Sequence, residues 1–266
     1  MLVLNAEIKP FLTSSPTELF DQIMALRGTV YRQLENRCTQ RIVLGDQPCF
    51  IKQHFGIGWR EIFKNLFQLR LPVLSAKNEW RALERLQQLN IPVPKLLGYG
   101  ARGMNPARVQ SFLLTRALPK HISLEDLVKT WKKTPPSFHF KQQLIAEVAR
   151  IAETLHTHGM NHRDFYICHF LLDIEKAEQG IPLLYLIDLH RAEIRRETPK
   201  RWVIKDLAGL YFSCKESGLS KRDLLRFMQK YRNTPLGVVL TQERTFWQKV
   251  KERGDKLYER HAKSSN

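Results

Sequence analysis

The stretch from Gln142 to His158 constrains the fold of this chain more than any other. Leu144, Ile145, Val148, Ile151, Ala152 and Leu155 recur on one helical face, and Gly159 ends the run. A polar segment, Asn161 to His169, follows at once. Two short apolar runs come next, Phe170 to Ile174 and Leu183 to Ile187, and they read as a paired hairpin. The first half of the chain has a different texture. Thr29 to Phe55 reads as strands, with Arg41 to Leu44 and Pro48 to His54 flanking the turn dipeptide Gly45-Asp46. Helical spacing returns over Trp59 to Leu71 and over Ala76 to Leu89, where Trp80, Leu83 and Leu86 form the apolar stripe and Asn90-Ile91-Pro92 stops it. Val93 to Gly100 and Ser111 to Leu118 are two more strands. From Pro119 a connector leads into a mostly helical half, which includes a helix started by Ser220 with Asp223 three residues on. The pattern predicts an α+β chain of two lobes, strand-rich over 1–118 and helical over 119–266, making one functional domain.

The 266 residues, 43% of them hydrophobic, suffice for one large domain or two small lobes sharing a cleft. No apolar run approaches the roughly 20 residues that span a bilayer, and the first twelve residues lack a secretion pattern. A soluble, unexported protein is expected. Cys38, Cys49, Cys168 and Cys214 are scattered without a C-x-x-C pair, which fits a reducing cytoplasm. The histidines show no thiolate pair and no H-E-x-x-H spacing, so a zinc site is not expected. The formal charge of +17 favours anionic partners and leaves their identity open.

The segment Leu155 to Asp164, with its His162-Arg163-Asp164, resembles the catalytic loop of protein kinases and its helical lead-in. In that fold the Asp orients the acceptor hydroxyl, and an Asn five positions later holds magnesium. Here that position is His169. Asp188 follows the strand Tyr185-Leu186-Ile187 where kinases place the metal-binding Asp of Asp-Phe-Gly, with His190 in place of the Gly. Lys52, in Phe50-Ile51-Lys52, matches the lysine that holds the ATP phosphates, and Glu79 on a following helix matches its ion-pair partner. Phosphoryl transfer asks a protein mainly for positioning and for compensation of negative charge. Asp164, Asp188, His169 and Lys52 can meet those needs with ATP and Mg2+ as cofactors, the nucleotide lying between the lobes. No G-x-G-x-x-G precedes Lys52, so side chains such as Arg37 would have to help cover the phosphates. Phe50 also stands where a small residue usually roofs the adenine.

A longer resemblance is more specific. Asn161 through Leu172, Ile187 through Ala192 and Arg201 through Phe212 are similar to the lipopolysaccharide core heptose(I) kinases (WaaP/RfaP family). So are Lys64-Asn65-Leu66, Leu71 through Leu74, Glu79-Trp80 and Gly103 through Pro106. The likeness covers nearly the whole chain. It implies a bilobal protein-kinase-like fold and ATP-dependent phosphorylation of O4 of the first heptose in the inner core. Asp164 would be catalytic, and His169 is the usual residue of that family. His162, Arg163 and Asp206 would support the loop. One small departure is Phe165, where many members have Cys. The resemblance also implies a cytoplasmic protein peripheral to the inner membrane of a Gram-negative bacterium, with the core and lipid A as its acceptor and no nucleic acid as partner.

Blander readings stand beside these. Asp164 and Asp188 taken singly are ordinary turn and strand-end carboxylates, and Lys52 with Glu79 could be a surface ion pair; their order in the chain favours the kinase reading. The stripe from Trp59 to Leu71 is expected to pack against the first lobe. The sharper alternative makes it a lipid-facing surface, or a dock for an acidic carrier protein, ringed by Arg60, Lys64 and Arg70. The rival functions are a kinase for another core sugar, a small molecule or a protein hydroxyl, and a catalytically silent protein that binds anions or nucleic acid.

Overall fold

The structure is a computed structural model and describes residues 1–12, 15, 18–67, 74–131 and 133–264. It divides into two compact units, Met1–Arg85 with Pro94–Leu118, and Leu86–Val93 with Pro119–Asn266.

The first unit is built on an antiparallel sheet of strands β1 (Leu2–Leu4), β2 (Thr29–Leu34), β3 (Arg37–Leu44), β4 (Gln47–His54), β5 (Leu96–Arg102) and β6 (Gln110–Arg116), in the order β1-β5-β6-β4-β3-β2. Burial alternates along β3 and β4 because one sheet face is covered and the pleat has period two. Ile42, Leu44, Cys49, Ile51, Phe112 and Leu114 share that face with Phe20, Ile23 and Met24 from α1 (Leu19–Ala25). This helix was not legible in the sequence. Its end is tied down by a buried amide network: Gln53 donates to the carbonyl of Met24 (3.0 Å) and accepts from Gln40 (2.7 Å), which in turn accepts from the Gly28 amide (2.9 Å). Gly45, at φ 59°, makes the expected β3–β4 turn.

Two helices follow β4 in sequence, α2 (Gly58–Phe67) and α3 (Lys77–Gln88). On α3, Trp80, Ala82, Leu83 and Leu86 are buried, and Trp80 stacks on Tyr99 with centroids 4.5 Å apart. Asn90 then adopts φ 54° and ends the helix. The expectation for α2 needs correction. Ile62 packs with Ile57 and Ala107, but Trp59, Phe63 and Phe67 are exposed, the last at 87%. They sit at i, i+4 and i+8 on a different face from Ile62, and Trp59 and Phe63 stack on each other at 5.9 Å. Arg70 and Leu71 lie outside the described residues.

The second unit holds α4 (Leu124–Thr130), α5 (Phe138–Thr157), α6 (Ile174–Glu178), α7 (Lys200–Ser213), α8 (Lys221–Arg232), α9 (Leu236–Gln242) and α10 (Arg244–Ser264). Helix α5 begins at the Ser137 cap and buries Leu144, Val148, Ile151 and Leu155. Helix α8 carries the expected capping box, with Ser220 and Asp223 bonded reciprocally. Short strands β7 (His121–Ser123), β8 (Met160–Asn161), β9 (Phe170–Asp173), β10 (Leu184–Leu186) and β11 (Glu193–Ile194) form two small sheets, β10-β9-β7 and β11-β8. Between α4, α5, α7, α8 and α10 lies an apolar cavity of about 470 Å³, lined among others by Trp131, Leu144, Val148, Leu210, Phe227 and Trp247. No helix among the described residues is long and apolar enough to cross a membrane.

Candidate active site

Two strand pairings hold the polar loop that follows α5. Strand β8 pairs with β11 at its start, and β9 pairs with β10 at its end. Gly159 makes the entry possible. Its φ is 77°, its carbonyl accepts from the Arg195 amide (2.8 Å), and an added Cβ would lie 1.9 Å from the Arg195 carbonyl oxygen. The pairings bring Asn161–His169 beside the segment from Asp188 to Ala192.

Asp206 on α7, fully buried, fixes the loop from below. Its two carboxylate oxygens accept from the backbone amides of His162 (2.6 Å) and Arg163 (2.9 Å). Desolvation of His162, also fully buried, pushes its pKa below the ordinary value, and its Nε2 bonds the Ile187 carbonyl (2.9 Å). The contact ties the loop to the residue before Asp188. Arg163 adopts φ 76° and reaches Glu193 (2.9 Å), which also pairs with Arg195. Asp188 is left-handed too, at φ 62°. Non-glycine residues in this region are strained, and such strain collects at functional sites.

On this frame Asp164 is placed with its carboxylate against the Arg191 guanidinium, at 3.0 and 3.2 Å to the two oxygens. His169 bonds the Asp164 carbonyl through Nδ1 (2.7 Å), so its Nε2 is left facing Asp188 Oδ2 at 3.4 Å. The other Asp188 oxygen meets His190 Nδ1 at 2.6 Å. This places the His169 Nε2 and an Asp188 oxygen side by side, two atoms that can together ligate a cation. Magnesium usually takes one or two protein ligands and fills its shell with water and phosphate oxygens. Asp188 and His169 fit that use, although the imidazole is a softer donor than oxygen. Among the described residues no cluster of three or more His, Cys, Asp or Glu side chains could hold a metal by itself.

In the first unit Lys52 leaves β4 on the face opposite Ile51, between Thr39 and Leu113, and pairs with Glu79 of α3. Glu79 is 7% exposed, which makes the pair more than a solvent contact. Arg37 follows the glycine-free turn Glu35-Asn36, and burial together with Arg32 lowers its pKa. The edge of the Tyr31 ring meets Phe50 at 5.0 Å.

The structure thus brings His162, Arg163, Asp164, His169, Asp188 and Asp206 into one network, and Lys52 with Glu79 into another. Sequence reasoning did not find Arg191, Glu193 or the contact of His190 with Asp188. The signal available for Arg191 was its place three residues after Asp188, within a segment already singled out.

A strand-rich unit with a Lys–Glu pair, preceding a helical unit with His-Arg-Asp and a strand-end Asp, defines a phosphotransferase of protein-kinase-like fold. The lipopolysaccharide kinase (Kdo/WaaP) family model matches residues 21–231, and the chain belongs to that family. It is 44% identical over 242 residues to the lipopolysaccharide core heptose(I) kinase WaaP of Pseudomonas aeruginosa, covering 91% of this chain and 90% of that one. It is 42% identical over 244 residues to the Escherichia coli K12 enzyme of the same name, covering 91% and 92%. A solved structure of WaaP in complex with acyl carrier protein superposes with a TM-score of 0.82 at 37% identity, over 97% of this chain and 99% of that one.

Proposed function

We propose that the chain is an ATP-dependent kinase that phosphorylates O4 of the first heptose of the lipopolysaccharide inner core. The observation that carries this reading is Asp164, a carboxylate held on a loop anchored by Asp206 and adjoining the Asp188–His169 pair. Asp164 orients the acceptor hydroxyl and takes its proton as that oxygen bonds the γ-phosphorus of ATP and the bond from this phosphorus to the departing ADP breaks. Arg191, in contact with both of its oxygens, fixes that carboxylate in place. Lys52, steadied by Glu79, holds the donor phosphates. Asp188 and His169 would hold magnesium, which would supply positive charge against the phosphate oxygens. Relatives bearing the heptose(I) kinase name over nine-tenths of the chain support the choice of acceptor. Phosphorus–proton correlation of the product tests the position: coupling to H4 of the first heptose is expected, and coupling to another sugar would overturn the assignment.

The acceptor is carried on a lipid, and we infer that α2 brings the enzyme to the cytoplasmic face of the inner membrane. Exposed Phe55, Trp59, Phe63 and Phe67 lie with exposed Arg60 and Lys64, a composition suited to an anionic bilayer interface. Replacing Phe63 and Phe67 by Ser should weaken binding to phosphatidylglycerol vesicles about tenfold or more, from the apolar area withdrawn. Unchanged co-sedimentation would exclude α2 as the anchor.

A carrier-protein partner is the second inference, and the apolar cavity of the helical unit supports it. Its volume and lining suit an acyl chain, and the matched solved structure has an acyl carrier protein bound. Acyl-loaded carrier should raise the melting midpoint by several degrees, and Val148→Trp, which fills the cavity, should remove that shift. Equal stabilisation by acyl-free carrier would separate the partner from the cavity.

A further inference from the structure

Beside Asp164 stands a concentration of positive charge that the phosphotransfer chemistry does not use. Helix α7 presents Arg201, Trp202 and Lys205 on its first two turns, next to Asp206, whose carboxylate anchors the catalytic loop. Four cations surround the Trp202 ring. Arg163 lies 4.8 Å from its centroid, Lys205 5.1 Å, Arg201 5.4 Å and Arg195 5.8 Å. A cation over an indole face is favourable, but four around one ring repel each other.

The available carboxylates offset only part of this charge. Glu193 pairs with Arg163 and Arg195, and Asp164 pairs with Arg191. Among the described residues, no carboxylate lies within ion-pair distance of Lys205 or Arg201. Lys205 is half-buried, and burial, Arg163 and Arg191 all press against its charge, with Asp164 close enough to act the other way. Arg201 is exposed, so the cluster opens to solvent on that side, while Lys205 lies near enough to Asp164 to feel its charge.

We propose that Lys205 and Arg201, set on Trp202, form a clamp for an anionic group of the acceptor: a carboxylate or phosphate borne close to the hydroxyl that Asp164 orients. The flat indole packs against a sugar ring, while the two cations fix the acid attached to it. The clamp selects an acidic glycan over a neutral one, and it rests on the reading of Asp164 as the residue that receives the acceptor. The acid has two possible sources, the carboxylate of a neighbouring acidic sugar or a phosphate of the lipid anchor.

The test measures acceptor binding without ATP, and phosphate transfer beside it, for the native enzyme, Lys205→Gln, Arg201→Gln and Lys205→Arg. Three acceptors are used: native core lipopolysaccharide, the same material with carboxyl groups reduced to alcohols, and the same material with lipid A phosphates removed. The two Gln variants should raise the acceptor Kd and KM about tenfold, as expected for losing one charge-assisted contact, with the KM for ATP unchanged. Lys205→Arg should retain most of the affinity. One modified acceptor should show the same loss with the native enzyme and no further loss with the Gln variants. Carboxyl reduction acting so identifies the acidic sugar, and phosphate removal identifies the lipid anchor. Unaltered acceptor Kd in both Gln variants would overturn the clamp, as would losses that multiply for both modified acceptors. Clamp-dependent binding without any transfer would leave the clamp standing and overturn the kinase reading instead.

Discussion

An Asp164→Ala enzyme should bind nucleotide as the native chain does and transfer phosphate about 10²- to 10⁴-fold more slowly, the range for removing a positioned acid–base group. The substituted side chain faces Arg191 and solvent. The backbone around it is held by Asp206, by the β8–β11 and β9–β10 pairings and by His169, none of which needs the Asp164 carboxylate. The melting midpoint should therefore stay close to native. Single-turnover transfer with tightly bound Mg-ATP checks the rate, and nucleotide titration checks the binding. Comparable turnover by the variant would remove Asp164 from the mechanism.

Asp206→Ala should have a different signature, with loss of stability and of activity together. The substitution leaves the buried backbone amide of His162 and the part-buried amide of Arg163 without an acceptor. Each unsatisfied donor costs about 1–3 kcal/mol. The loss of roughly 2–6 kcal/mol corresponds to a fall in midpoint on the order of 10 °C for a chain of this size. It also frees the loop at Arg163, whose left-handed backbone needs fixing from outside. Thermal unfolding monitored by circular dichroism is the check. A midpoint within a degree or two of native would mean that water or a side chain replaces the carboxylate, and that Asp206 does not brace the loop.

The sequence made some of these parts legible and hid others for physical reasons. The stripe of α5, the β3–β4 turn and the α8 capping box are local: period, a glycine with positive φ and a three-residue spacing are enough to find them. The set Lys52, Glu79, His162, Arg163, Asp164, Asp188 and Asp206 was legible because each keeps its order along the chain, and the structure brings its members into two networks. Helix α1 was missed because its apolar residues are few and its support, the Gln40–Gln53 network, comes from strands far along the chain. The exposure of α2 was missed because periodicity locates an apolar face without saying whether anything covers it. Arg191 and the cations around Trp202 were hidden for a related reason. Long flexible side chains reveal their partners only after β8 pairs with β11 and α7 packs beneath the loop.

Incubation of the purified chain with labelled Mg-ATP and heptose-containing core lipopolysaccharide that lacks heptose phosphate, with and without chelator, separates a heptose kinase from its rivals. Label on the first heptose is expected, dependent on magnesium and lost in Asp164→Ala. Nucleotide bound with no label in any core sugar would contradict the heptose kinase reading.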